Sequence, residues 1–271
     1  MANTPGYRVD GELWRSGTGV VHLAEDVVLG RRVVVKSPHA SMMRDRRFRE
    51  RFVREFRMMA AVDHPHVVPV YAVGGSGEHM FAVMPYVRGG DLRSVLDAHG
   101  PLPLAAAVAV TGQIADALDH VHALGIVHRD VNPRNILLAG TDGAKALLTD
   151  FGLAVDTRGG ATAPLAPGAG TPGYSAPEQA AGGPVDHRAD VYSLARVALS
   201  CLTGAVPDAD GRFPDRDAAR LLRSRPDLPA RVAEAFARAT SADPRERFGS
   251  CGAFAASWRS GHRRAVRPVG A

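Results

Sequence analysis

The chain has 271 residues, 45% of them hydrophobic, which is enough to bury a sizeable core as one large domain or two lobes and too apolar for general disorder. Its formal charge is +5 and its pI is near 9.7, but the arginines are scattered among acids rather than gathered on one predicted helix or loop, so no nucleic acid is expected as a partner. No run of about 18 apolar residues exists and the N-terminus has no basic-then-apolar signal pattern, so the expectation is a soluble, cytoplasmic chain with no membrane segment.

From Tyr7 to about Val87 the pattern is strand-rich. It predicts strands over Val20 to Ala24, Arg32 to Lys36, Val67 to Val73 and Met80 to Met84, each bounded by Gly, Pro or Asp. One helix interrupts them, from Arg47 to Val62, with Phe48, Phe52, Phe56 and Met59 at helical spacing; His64-Pro65 stops it. Two of the 33 basic residues are lysines, Lys36 and Lys145, and the other 31 are arginines. In such a composition a surviving lysine is a candidate for a chemical requirement. Lys36 ends the apolar run Val33-Val34-Val35 and reads as a strand delivering an ammonium charge to one place, whereas Lys145 lies close to Gly143 and reads as a solvated turn lysine.

The composition shifts near Arg88-Gly89-Gly90, the expected lobe boundary. Beyond it the chain turns helical, with helices predicted over Asp91 to Leu96, Leu104 to Leu124, Ala189 to Leu202 and Arg231 to Ala239. Thr157 to Gly170 is rich in Gly, Ala and Pro and is expected to be a mobile loop, and the tail from His262 a frayed basic end. Cys201 and Cys251 are far apart, without CxxC spacing or a nearby His pair. That argues against a disulfide framework or a zinc site, and both read as core thiols.

The most informative stretch runs from Gly125 to Gly152, GIVHRDVNPRNILLAGTDGAKALLTDFG. It sets His128-Arg129-Asp130, Asn135 and Asp150-Phe151-Gly152 among apolar residues. Carboxylates are costly to bury unpaired, so a partner such as a metal ion or a phosphate is expected here.

The strand lysine, the helix acid Glu55 nineteen residues later, and the ordered Asp130, Asn135 and Asp150 together resemble the eukaryotic-type (Hanks-type) serine/threonine protein kinases, and are most similar to the bacterial members. The resemblance covers about Tyr7 to Trp258. It implies an α+β, bilobal protein kinase-like fold: an N-terminal extension (1–6), a small β-rich N-lobe with one main helix (7–88), a larger, mostly helical C-lobe (89–261) and a basic tail (262–271).

Residue by residue, the resemblance gives Lys36 the α- and β-phosphates of ATP, and Glu55 the task of fixing Lys36. Asp130 orients the substrate hydroxyl and accepts its proton, and Asn135 and Asp150 hold Mg²⁺ (or Mn²⁺). Arg129 sits where a phosphorylated activation loop is bound, with Thr157 and Thr162 as its candidate hydroxyls. Gly170 to Glu178 (GTPGYSAPE) matches the substrate-docking segment, which places Thr171 near Asp130, pairs Glu178 with Arg247, and favours a protein substrate over a small molecule. Asp190 accepts backbone N–H groups of the catalytic loop. Leu13, Val21 and Val34 roof the adenine, Leu137 lies beneath it, Met84 guards the back of the pocket, Pro85 and Val87 offer backbone groups, and Asp91 reaches the ribose.

The chain departs from the family in two places. Of the three glycines that cover the phosphates only Gly19 is kept, the others being Trp14 and Ser16; Gly17 beside Ser16 restores some freedom. The lysine expected two residues after Asp130 is Asn132, and Arg134 occupies the position where tyrosine kinases carry a compensating arginine. The leading expectation is an ATP-dependent serine/threonine protein kinase that autophosphorylates. The alternative is a pseudokinase acting as a nucleotide-binding or scaffolding module. The oligomeric state is not legible.

Overall fold

The structure is a computed structural model that describes residues 4–16, 19–140, 145–157, 168–208, 212–213, 228 and 230–265. The chain divides into two compact units, Met1–Arg88 and Gly89–Ala271.

The first unit is built on an antiparallel sheet of five strands: β1 (Tyr7–Arg15), β2 (Gly19–Asp26), β3 (Arg31–Pro38), β4 (Ala72–Gly74) and β5 (Phe81–Pro85), in the order β1-β2-β3-β5-β4. Alternation on the strands sends Ala24, Val33, Val35, Phe81 and Val83 into one buried cluster, with Tyr7, Val9 and Ala72 packed against it. A short helix α1 (Ala40–Met43) precedes α2 (Arg46–Ala60), whose N-terminus is capped by the Asp45 carboxylate accepting from the Arg47 N–H. The buried face of α2 carries Phe48, Phe52, Phe56 and Met59, and with them Glu55.

Two expectations change here. β1 is a full strand of nine residues that periodicity does not reveal, because eight of its side chains are not buried and Gly11 interrupts it. The expected strand over Val67 to Val73 shrinks to Ala72–Gly74; Val67 and Val68 are buried, but Pro69 has no N–H to give to a ladder.

In the second unit, α3 (Leu92–His99) leads to α4 (Leu104–Ala123), followed by β6 (Ile126–Val127), β7 (Ile136–Ala139), β8 (Lys145–Leu148), β9 (Val155–Asp156), α5 (Pro177–Ala180), α6 (Arg188–Thr203), α7 (Ala230–Ala239) and α8 (Cys251–Ala265). β6 pairs with β9 and β7 with β8, two ribbons that frame the segment between Val127 and Asp156. α6 is buried almost all round, from Ala189 to Leu202, which explains why its sequence is apolar without a clean polar face. α4 turns Ala107, Val110, Ile114, Leu118 and Val121 inward. Phe236 of α7 meets Phe254 and Trp258 of α8 with ring centroids 5.2 and 5.7 Å apart.

α8 was not foreseen, and it runs past residue 261 to Ala265, where a frayed tail was expected from His262. Cys201 and Cys251 are fully buried; burial pushes the Cys201 thiol up to about 12 and raises Cys251 well above its ordinary value. Among the described residues no helix is long and apolar enough to cross a membrane.

Candidate active site

In the first unit, the register of β2 with β3 sets Val21 opposite Lys36 and Leu23 opposite Val34, and β3 with β5 sets Val34 opposite Met84 and Val33 opposite Pro85. Lys36 reaches from β3 to α2, where its Nζ lies 3.2 Å from Glu55 Oε1; the Glu55 side chain is 9% exposed. The pair therefore holds one ammonium in a largely buried position.

The β1–β2 turn is closed by Ser16, whose N–H donates to the Gly19 carbonyl at 2.9 Å and whose hydroxyl is 3.2 Å from the Gly19 N–H. His39 Nε2 is bonded to the Ser16 carbonyl at 2.8 Å. Gly19 is required by packing, since a Cβ there would lie 2.6 Å from the Ser37 carbonyl oxygen. Trp14 and Leu13 are 52% and 46% exposed. Gly17 lies outside the described residues.

In the second unit the loop after β6 hangs from one buried carboxylate. Asp190 of α6, fully inaccessible, accepts the Arg129 N–H on Oδ1 and the His128 N–H on Oδ2, each at 2.8 Å, while His122 Nε2 sits 2.7 Å from Oδ2. Burial alone pushes the Asp190 pKa up, but the bonds and charges from His122 and His128 outweigh it and hold it below the usual carboxylate value. Arg129 takes φ 65° and Asp150 φ 64°, left-handed conformations that cost a non-glycine residue about 1–3 kcal/mol and tend to occur where function over-determines the backbone.

Around Asp130 the side chains converge. Thr171 Oγ1 donates to Asp130 Oδ1 at 2.6 Å, Asn132 Nδ2 to the same oxygen at 3.1 Å, and Asn135 Nδ2 to Oδ2 at 3.1 Å and to the Asp130 carbonyl at 2.9 Å. Asn132 also donates to Thr171 Oγ1 at 2.9 Å and accepts the Arg134 N–H on Oδ1, capping the turn Pro133–Asn135. Arg134 itself is exposed. The amide nitrogen of Asn135 is committed to Asp130, the Gly152 N–H donates to Asp150 Oδ1 at 3.3 Å, and the amide oxygen of Asn135 and the carboxylate of Asp150 are oxygen donors of the hard type that a divalent cation takes.

The surrounding frame was partly foreseen. Glu178 and Arg247 form a two-pronged ion pair at 2.7 and 2.8 Å with the Arg247 side chain inaccessible. Gln179, which sequence reasoning passed over, donates from Nε2 to the carbonyls of Arg129 and Ala169, tying α5 to the loop after β6. Gly170 is required at φ 104°, where a Cβ would meet Ser175 Oγ at 2.3 Å and Gln179 Nε2 at 2.6 Å.

Asp91 caps α3: its two carboxylate oxygens accept the N–H and the hydroxyl of Ser94 at 2.9 and 2.8 Å. Leu137 lies on β7 and is half-buried. Arg129 donates from Nε to the Leu153 carbonyl at 2.6 Å, and Thr157 bonds the Gly125 carbonyl through its N–H and its hydroxyl. Thr162 and most of the expected loop from Thr157 to Gly170 lie outside the described residues.

A family model described as the protein kinase domain matches residues 7–234. The chain is 40% identical over 256 residues to the serine/threonine-protein kinase PknH of Mycobacterium tuberculosis, covering 92% of this chain and 41% of PknH. It is 35% identical over 257 residues to PknE of the same organism, covering 93% and 45%. It thus spans less than half the length of these relatives. The crystal structure of the Mycobacterium tuberculosis PknI kinase domain superposes with a TM-score of 0.75 at 33% identity, over 96% of this chain and 98% of that one. With its β-rich N-lobe, its helical C-lobe and these matches, the chain belongs to the protein kinase family, among its bacterial serine/threonine kinases.

Proposed function

We propose that the chain transfers the γ-phosphoryl group of ATP, bound with Mg²⁺ or Mn²⁺, to serine or threonine hydroxyls of protein substrates, itself included. The observation that carries the reading is the convergence of Thr171, Asn132 and Asn135 on the Asp130 carboxylate, which fixes both of its oxygens while leaving the residue half-buried rather than sealed.

In this reading Asp130 orients the attacking hydroxyl and takes its proton as the bond to phosphorus forms. Lys36, fixed by Glu55, neutralises charge on the α- and β-phosphates. Asn135 and Asp150 hold the metal ion, which when bound supplies charge neutralisation at the phosphate oxygens. Thr171 couples the docking segment to Asp130. Arg134, at the exposed edge of the same turn, supplies positive charge that Asn132 lacks. Leu13, Val21, Val34, Met84 and Leu137 enclose the adenine, Gly19 lies over the phosphates, Pro85 and Val87 offer backbone groups to the base, and Asp91 has its remaining lone pairs for the ribose.

The departures that favour a pseudokinase are absorbed structurally: Ser16 closes its turn by hydrogen bonds, and Asn132 is bonded on both sides of its amide. The test is transfer of label from γ-labelled ATP, with Mg²⁺ or Mn²⁺, to the chain and to a generic basic protein, beside Lys36→Ala and Asp130→Asn. Label in the wild type and its loss in both variants supports the reading; nucleotide binding without transfer under every condition overturns it.

A further inference from the structure

Residue spacing alone argues against a zinc site, yet the fold brings Asp119, His122 and Cys251 together. Asp119 and His122 stand three residues apart on one face of α4, and Cys251 is the first residue of α8. One ligand atom from each lies within 4.8 Å of the other two. Asp119 holds the end of α8 in place, its Oδ1 accepting the Cys251 N–H at 2.8 Å and its Oδ2 the Gly252 N–H at 2.9 Å.

The second observation concerns the imidazole. His122 Nε2 faces Asp190 Oδ2 at 2.7 Å, and a carboxylate only accepts, so Nε2 carries the proton. That leaves Nδ1 shielded from solvent with no hydrogen-bond partner among the described residues, on a side chain 10% exposed. A buried polar atom without a partner is costly. An imidazole that donates one N–H to a carboxylate and keeps the other nitrogen bare is the arrangement that orients and strengthens a histidine metal ligand.

We propose that Asp119, His122 Nδ1 and Cys251 Sγ bind one divalent ion of the zinc type, with a fourth position for water. The donor set, one thiolate, one imidazole and one carboxylate, selects borderline-soft zinc over the hard magnesium expected at Asn135 and Asp150. Tetrahedral zinc holds such donors about 3.4 Å apart, so on binding the three ligand atoms, which lie within 4.8 Å of one another, draw together around the ion. On binding, the Cys251 S–H bond breaks and its proton leaves to solvent as the sulfur–metal bond forms; burial and the nearby Asp190 and Asp119 carboxylates keep the ion-free sulfur a thiol, so it is the charge of the ion that stabilises the thiolate. Because Asp190 joins His122 to the His128 and Arg129 N–H groups, an ion here ties α4 and α8 to the catalytic loop.

The test is titration of the tag-free, metal-stripped full chain with Co²⁺, followed by absorption. The expected result is one Co²⁺ per chain with a thiolate-to-cobalt charge-transfer band, abolished by Cys251→Ala, unchanged in Cys201→Ala and displaced by Zn²⁺. Asp119→Asn, which keeps one of the two cap bonds to α8, weakens binding at least about tenfold. Should Cys251→Ala fail to fold by circular dichroism, Cys201→Ala decides, since only Cys251 then remains to give the band. No band in the wild type, a band that survives in Cys251→Ala, or one lost in folded Cys201→Ala overturns the proposal.

Discussion

Asn132 Nδ2 donates to Thr171 Oγ1 at 2.9 Å, so the residue standing where the family's lysine is expected joins the loop after β6 to the Gly170–Glu178 segment. It does so without a charge. Asn132→Ala removes the donor to Asp130 and Thr171 and the cap on Arg134, and leaves a buried loop short of partners at a cost of about 1–3 kcal/mol. Turnover is expected to fall roughly tenfold or more while ATP affinity changes little. Steady-state kinetics beside equilibrium nucleotide binding checks this; unchanged turnover would show that the bridge is idle.

Arg134 is expected to act through charge. Arg134→Ala lowers turnover several-fold, on the order of 1 kcal/mol in the barrier, and Arg134→Lys restores most of it. Normal turnover with normal ATP binding in Arg134→Ala would sink the idea that this exposed side chain replaces the missing lysine.

The contrast between Asn132 and its neighbours shows what was legible in the chain. Asp130, Asn135 and Asp150 stand out because acids and an amide among apolar runs need partners, Lys36 because it is one of two lysines and ends an apolar strand, Glu55 only through its spacing from Lys36 in the family resemblance, and α2 and α4 because their apolar spacing is helical. What Asn132 does was not legible: its donors span 39 residues to Thr171, and no local pattern encodes that. The same holds for Gln179 on Arg129, 50 residues away, and for Cys251 beside α4, 132 residues after Asp119. β1 escaped because a mostly unburied strand has no apolar alternation to read.

Arg247 is expected to matter for stability. Its inaccessible guanidinium also donates to the carbonyls of Ser241 and Arg188, so Arg247→Ala strands Glu178 and several acceptors. Breaking a buried pair on one side costs about 3–5 kcal/mol. Chemical denaturation is expected to show a loss of that size, with a smaller one for Glu178→Gln; a change under about 0.5 kcal/mol for Arg247→Ala, the size of an ordinary surface substitution, would contradict the role.

Alkali is expected to unfold the chain early. Burial pushes Tyr174 up from 10.0 to about 12, the bond to Ser200 opposing it only in part, and pushes Cys201 from 9.0 to about 12. Both pKa values are raised on folding, so the stability they contribute is complete below the unfolded values and is lost as pH rises through about 9 to 12. Thermal midpoints measured across that range are expected to fall less steeply in Tyr174→Phe than in the wild type, and equal slopes would exclude Tyr174 as a contributor.

The hold that Asp190 has on the catalytic loop also fixes how that loop breathes. The amides of His128 and Arg129 belong to no helix, yet both are sequestered by a carboxylate on α6, a helix buried over nearly its whole length. Their deuterium exchange therefore requires the opening of α6 itself, and they are expected to exchange with the slow helix-core amides rather than with loop amides. The loop is thus a cooperative extension of the helical core.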